Sequence, residues 1–298
     1  MEMDGANGKF HKSESYSPLM NIRVLQDTTE YEAFENVMRE VWDCGERDIV
    51  PHHLLRAVNH QGGLILGAFD DAKMVGVLMG FLAYHNGILH HHSHLTGVLE
   101  QYKGVGYLLK QKQREFVISQ GLDLITWTFD PLQSSNAYFN FAKLGVISTT
   151  YLRDYYGKMR DRLNAGISSD RLLVEWWLRS NDVVSRANGV FQHPVLEKIS
   201  SQADLVNPTK MKNGMRENTS INVECDNKNI LIEIPTSINA MKEKNMKLAQ
   251  KWRKEVRILF ETYFSKGYTA YNVISDINEG ERRTFYLLRK DMHENSQC

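Results

Sequence analysis

The stretch Gln101, Tyr102, Lys103, Gly104, Val105, Gly106 lies between a strand-like run ending at Leu99 and a helical pattern, and its residue types suit anion binding. A glycine-containing bend between strand and helix aims several backbone N–H groups at one point, backed by the positive end of the helix dipole. A diphosphate fits such a point. Glycine at 104 and 106 lets a ligand approach the main chain closely, and Lys103 adds a mobile cation. The plain alternative is a tight turn, since Gly-x-Gly is common. A dinucleotide fingerprint is not met, because it follows the first strand of a parallel unit and position 109 is Leu. A triphosphate loop would need Gly-Lys-Ser/Thr, which is missing.

A second cluster is histidine-rich. His90, His92 and His94 fall on one face of a strand, His91 and Ser93 on the other. An imidazole titrates near neutral pH, which makes His94 and His92 candidate general bases, although a surface or hydrogen-bonded strand histidine is the commoner case. His-x-His also chelates metals, but no carboxylate or cysteine joins at ligand spacing, so no metal is expected. Asp130 is a further candidate base, or else a cap for the helix after Pro131. His52 and His53 stand at a helix start and are read as exposed.

The elements that position these groups alternate between strand and helix. A strand over 21–25 leads to a helix opened by Asp27 and Glu30, a capping-box pair, with Phe34, Val37, Met38, Val41 and Trp42 at helical spacing. A shorter helix follows Pro51. Strands over 64–69, 74–84 and 88–99 form an antiparallel meander, with Asn86 and Gly87 as a hairpin signal. A helix then runs from Gly106 to Gly121, followed by a wholly apolar strand over 122–129, a helix over 134–144 and strands over 146–153 and 171–178. The stretch 200–220 reads as irregular. After it comes a strand, helix, strand, strand pattern, whose long helix buries Trp252, Val256 and Phe260 and leaves Lys244, Lys247, Lys251, Arg253, Lys254 and Arg257 mostly outside. No close internal repeat is visible. Residues 1–19 read as a disordered tail, with Met20 a candidate native start; 20–185 and 186–298 read as two domains.

Among 298 residues, 36 Lys and Arg balance 36 Asp and Glu, so no overall field draws the chain to nucleic acid or an anionic membrane. Three scattered cysteines suit a reducing, cytoplasmic setting rather than a disulfide framework. No apolar run approaches the ~20 residues that span a bilayer.

Gln101, Gly104 and Gly106 also fit the pattern Gln/Arg-x-x-Gly-x-Gly/Ala. About thirty residues on, Ala137, Lys143 and Gly145 fall in register with a second pattern, and on these two motifs the chain resembles the GNAT superfamily of acyl-CoA-dependent N-acyltransferases. The run 127–132 and the run 230–235 followed by Trp252 are similar to a little-characterised branch with an added C-terminal region. The resemblance implies an α/β fold: a mixed, mostly antiparallel sheet flanked by helices, with a smaller C-terminal α/β domain. It implies that the fourth and fifth strands splay apart to admit acetyl-CoA, the acyl donor. The pantetheine arm would pair with backbone near Thr96 and Val98, and an N–H near Val98 or Leu99 would meet the oxyanion. Gln101, Lys103, Gly104, Val105, Gly106 and Tyr107 would hold the diphosphate. Ser134 stands where the family usually has an asparagine, with Asn136 close by as the other candidate contact. Phe141 replaces the tyrosine that often protonates the departing thiolate, which leaves Tyr138 and Tyr151 as substitutes; a thiol with a pKa of roughly 8.5 leaves tolerably without strong acid help. The implied partner is a small-molecule primary amine attacking directly, with a homodimer left open. The other reading is a non-catalytic CoA-binding or regulatory module.

Overall fold

The computed structural model describes residues 20–43, 45–158, 165–278 and 280–290; the expected tail, 1–19, lies outside them. Strand β1 (Asn21–Val24) is followed by helix α1 (Thr28–Trp42), where Asp27 accepts a hydrogen bond from the Glu30 amide and Glu30 accepts one from the Gln26 amide. This reciprocal capping satisfies amides that the helix leaves without partners. Tyr31, Phe34, Val37 and Met38 form the buried stripe. Helix α2 (His52–His60) buries Leu55. The meander β2 (Leu64–Asp70), β3 (Lys73–His85) and β4 (Ile88–Val98) pairs antiparallel, and β1 joins β2. Helix α3 (Val105–Ser119) crosses back over it, so that β5 (Leu124–Phe129) lies parallel to β4. Helix α4 (Ser134–Ala137) runs on into a π-helical turn (Tyr138–Leu144), and β6 (Ile147–Leu152) and β7 (Arg171–Trp177) complete the first stretch with β7 between β5 and β6.

Short helices α5 (Asn181–Ala187) and α6 (Leu196–Ser200) lead to β8 (Asp204–Leu205), the hairpin β9 (Thr209–Lys212) and β10 (Met215–Asn218), β11 (Asn229–Ile234), α7 (Ile238–Lys244), α8 (Met246–Ser265), β12 (Tyr268–Asn278) and β13 (Glu281–Lys290). The hairpin stands where the sequence reads as irregular. One mixed sheet of eleven strands, ordered β1-β2-β3-β4-β5-β7-β6-β12-β13-β11-β8, carries everything but that hairpin; its pairs are antiparallel except β4–β5 and β11–β8. The two stretches meet edge to edge, at Ser148 opposite Ala270.

The order β4-β5-β7-β6 recurs as β8-β11-β13-β12, a repeat of topology that the sequence does not disclose. Each copy begins with a parallel pair only two residues long. In the second copy the Asn207 side chain bonds the Glu233 amide at 2.8 Å and carbonyl at 2.9 Å, closing the space beyond the pair. In the first copy that space is open.

Two large apolar clusters back the sheet, and a smaller one, Leu231, Ile274, Phe285 and Leu287, packs under α6. One joins α1, α2, β1–β3 and the start of α3; the other joins β5–β7 and the π-helical turn to β11, α8, β12 and β13. The second cluster makes the C-terminal stretch a wall of the segment that follows β5. Arg253 and Asp130, both buried, form a 2.6 Å ion pair across it, and the Tyr286 hydroxyl donates to the Pro131 carbonyl at 2.8 Å. Among the described residues, no helix is long and apolar enough to cross a membrane.

Candidate active site

Registered pairing between β4 and β5 comprises His91 opposite Ile125 and His92 opposite Thr126. Beyond His92 the strands diverge. A bulge contributes: Gly80 of β3 opposes Ser93 and Met79 opposes Leu95, so His94 is the extra residue on β4. A bulge bends its strand and re-aims one side chain. The wedge that opens here is a groove of ≈ 430 Å³, floored by Ser93 to Thr96, Val98 and Leu99 and walled by Trp127, Thr128 and Phe129. It ends at the loop before α3.

Gly104 caps α3 with φ +86°, ψ −22°, a left-handed conformation that disfavours any side chain. The amides of Tyr102 and Tyr107 donate to the Leu99 and Gly104 carbonyls at 2.9 and 3.0 Å. Among the described residues, the amides of Lys103, Gly104, Val105 and Gly106 donate to no protein acceptor. No acidic residue occupies the first turn of α3 to answer its dipole. A Cβ on Gly106 would meet only Val98 Cγ2, at 3.8 Å, so this turn faces open space. Lys103 and Lys143 stand in the lining. The result is a cradle for an anion, leading into a slot walled by the free edge of β4. In that slot the Thr96 hydroxyl is buried without a partner.

At the closed end of the wedge, Lys110 is almost fully buried; its Nζ donates to Ser93 Oγ at 2.8 Å and Gln113 Oε1 at 3.2 Å and lies 3.9 Å from the Trp127 ring centroid. Burial without a carboxylate partner pushes this ammonium down to about 7. On the opposite face of β4, His92 and His94 lean on Phe81, with ring centroids 5.4 and 5.9 Å from it, and His92 Nδ1 meets Thr126 Oγ1 at 3.1 Å. Burial, then the neighbouring histidines and Lys110, lower His92 to about 4. Desolvation lowers His94 too, although its ring keeps an open edge on the groove. His91 is fully buried beside Phe116 with neither ring nitrogen bonded, and burial lowers it to about 3.

The structure thus brings His94, Thr96, Val98, Leu99, Lys103, Gly104, Gly106, Tyr107 and Asn136 together around one groove. Other candidates lie elsewhere. Val105 turns its side chain into the core, and Gln101 is exposed outside the lining. Ser134 Oγ donates to the Thr236 carbonyl, because the C-terminal stretch covers that end of α4. Asp130 accepts from the Leu132 amide at 2.8 Å and pairs with Arg253, which places it in the turn after β5 and off the groove. Tyr138 packs on the apolar cluster, and Tyr151 donates to Asp170 at 2.7 Å with its phenol pushed up by burial; neither lines the groove. Phe141 is buried against Phe129 and Tyr286. The Arg253 reading is corrected: it is buried, and Arg257 binds Asp170 at 2.8 Å, so the cationic face of α8 is broken by two inward-acting arginines. Among the described residues, no three potential metal ligands converge.

Sequence reasoning missed Lys110 and Asn140. Asn140 is one turn beyond Asn136 and lines the groove with it. Lys110 follows the core residue Leu109 and precedes buried Gln113 by three, a spacing that places it on the sheet side of α3.

No family model matches this chain, and no curated protein matches it. Solved structures similar in fold include an aminoglycoside 6'-acetyltransferase, at 17% identity and TM-score 0.44, covering 54% of this chain and 99% of its own. A probable acetyltransferase from Staphylococcus epidermidis is similar at 16% identity and TM-score 0.45, covering 53% and 98%. A GNAT-family acetyltransferase from Streptococcus pneumoniae is similar at 13% and 0.43, covering 52% and 97%. The likeness is one of fold and lies in the first half of the chain.

Proposed function

We propose that this chain is an acyl-CoA-dependent N-acyltransferase that moves an acetyl group from acetyl-CoA to a primary amine. The observation that carries the reading is the continuity of the β4–β5 wedge with four unbonded amides at the start of α3. In it, the amides of 103–106 hold the diphosphate, with Lys103 and Lys143 adding charge. The β4 edge near Thr96 and Val98 pairs with the amides of the pantetheine arm, as a further strand would. The seven residues from Ser93 to Leu99 span roughly 20 Å at strand rise, long enough for an extended arm. That puts the thioester where the wedge closes.

There an amine approaching from the Phe81 side meets the carbonyl carbon. His94, displaced by the bulge and open to the groove, takes the proton from the incoming nitrogen, directly or through water. A depressed imidazole pKa keeps it neutral, as a base must be. The replacement at Phe141 favours a second reading, a module that binds CoA without turnover.

Isothermal titration separates these readings. A folded protein that gives no heat with CoA or acetyl-CoA refutes both; binding with no thiol release across a broad amine panel leaves only the second.

A further inference from the structure

Lys110 is a buried cation at the point where the wedge closes, and nothing in the fold requires it to be charged. Its Nζ rests on Ser93 and Trp127, each one residue past the last registered β4–β5 pair. Among the described residues no carboxylate bonds to it. Among the described residues its Nζ bonds Ser93 Oγ and Gln113 Oε1 and lies over the Trp127 ring, and it also lines the groove. Ser93 and His91 face α3, whereas His92 and His94 face Phe81. An acyl group seated at the apex therefore has imidazoles on one face of the sheet and an ammonium on the other.

We propose that Lys110 is the proton donor to the departing CoA sulfur, the role left vacant by Phe141. This rests on the acyltransferase reading. As the new nitrogen–carbon bond forms and the carbon–sulfur bond breaks, the sulfur leaves with the electron pair. It takes a proton from the Lys110 ammonium, which becomes a neutral amine. CoA departs as the thiol, and solvent returns a proton to Lys110; the proton lost by the attacking nitrogen goes to the base on the other face. A desolvated ammonium gives up its proton readily and, while charged, attracts a thiolate. Of the titratable groups on β4, His91 shares the α3 face with Lys110 and His92 feels its charge from across the strand; His94, Lys103, Lys143 and Glu100 line the same groove.

The test uses the full chain with Lys110→Met and Lys110→Arg. The first removes the charge in a similar volume; the second keeps a charge that cannot be given up. Affinity for desulfo-CoA, read by calorimetry, should match wild type in both, showing an intact groove. The thiol pKa of bound CoA, read from the ultraviolet absorbance of the thiolate, should lie about one unit or more lower in wild type than in Lys110→Met. Lys110→Arg should keep that lowering. Acetyl transfer should fall about 100-fold in kcat in both variants with little change in KM. A kcat for Lys110→Met within about threefold of wild type, or a bound-thiol pKa equal in the two, overturns the proposal. A lowered thiol pKa in wild type with no turnover on any amine refutes the transferase reading instead, while placing Lys110 beside the sulfur.

Discussion

Gly106→Asp should separate stability from ligand binding in opposite directions. The residue sits in the first turn of α3 at ordinary negative φ, and its Cβ position touches only Val98 Cγ2 at 3.8 Å. A side chain there displaces nothing. Aspartate near a helix N-terminus stabilises by about 0.3–1 kcal/mol through the dipole, and replacing glycine within a helix adds a few tenths more. The folded state should therefore gain on the order of 0.5–1 kcal/mol in chemical denaturation. A diphosphate held by the amides of 103–106 would lie roughly 5 Å from the new carboxylate. At an effective dielectric of about 20, one pair of unit charges at that distance repels by about 3 kcal/mol. The CoA dissociation constant should then rise by about two orders of magnitude. Gly106→Ala is the control: it has the same room and the helix gain, but adds no charge. Calorimetric titration with CoA at low salt reads the loss, and raising the salt should shrink it. Unchanged CoA affinity in Gly106→Asp would refute the placement of the diphosphate, whatever the stability shows.

The remaining predictions concern the groups that shape the wedge. Gly80→Ala puts a Cβ 2.2 Å from His91 Nε2 and 2.9 Å from Gln113 Nε2, and overpacking of this kind should cost about 1–3 kcal/mol in urea unfolding. Arg253→Met leaves Asp130 buried without its cation and should cost about 3–5 kcal/mol, whereas the double variant with Asp130→Asn should recover part of that loss. Burial lowers His91 from 6.5 to about 3 and His92 to about 4. Between those values and 6.5 the unfolded chain binds more protons, so stability should fall as pH drops from 6.5 toward 4, and His91→Leu should flatten the slope by about one proton. Lys110 runs the same way at higher pH: lowered from 10.5 to about 7, it should make stability rise between those values, and Lys110→Met should abolish that rise.

What could be read from sequence is whatever short-range physics governs. The Asp27–Glu30 capping box, the Asn86–Gly87 turn and the Gly104 bend are local, and each appears where its residues place it. Thr96, Val98, Leu99, Lys103, Gly104, Gly106 and Tyr107, which line the groove, lie on either side of that bend. What stayed hidden depends on partners far along the chain. Asp130 reads as a base until Arg253, 123 residues later, is seen to bind it. Ser134 reads as a ligand contact until Thr236 covers it. Lys110 sits in a polar helical background, and its burial becomes visible only when β5 returns to lay Trp127 over it. The repeated strand order is likewise topological: β8 keeps two residues where β4 keeps eleven, so no sequence period survives.

The most direct measurement is a crystal structure of the full chain with CoA. The account predicts diphosphate oxygens within hydrogen-bond distance of the amides of Lys103 to Gly106, the arm along the free edge of β4 and the sulfur near Ser93 and Lys110. CoA lying elsewhere, with the loop before α3 left empty, would contradict it.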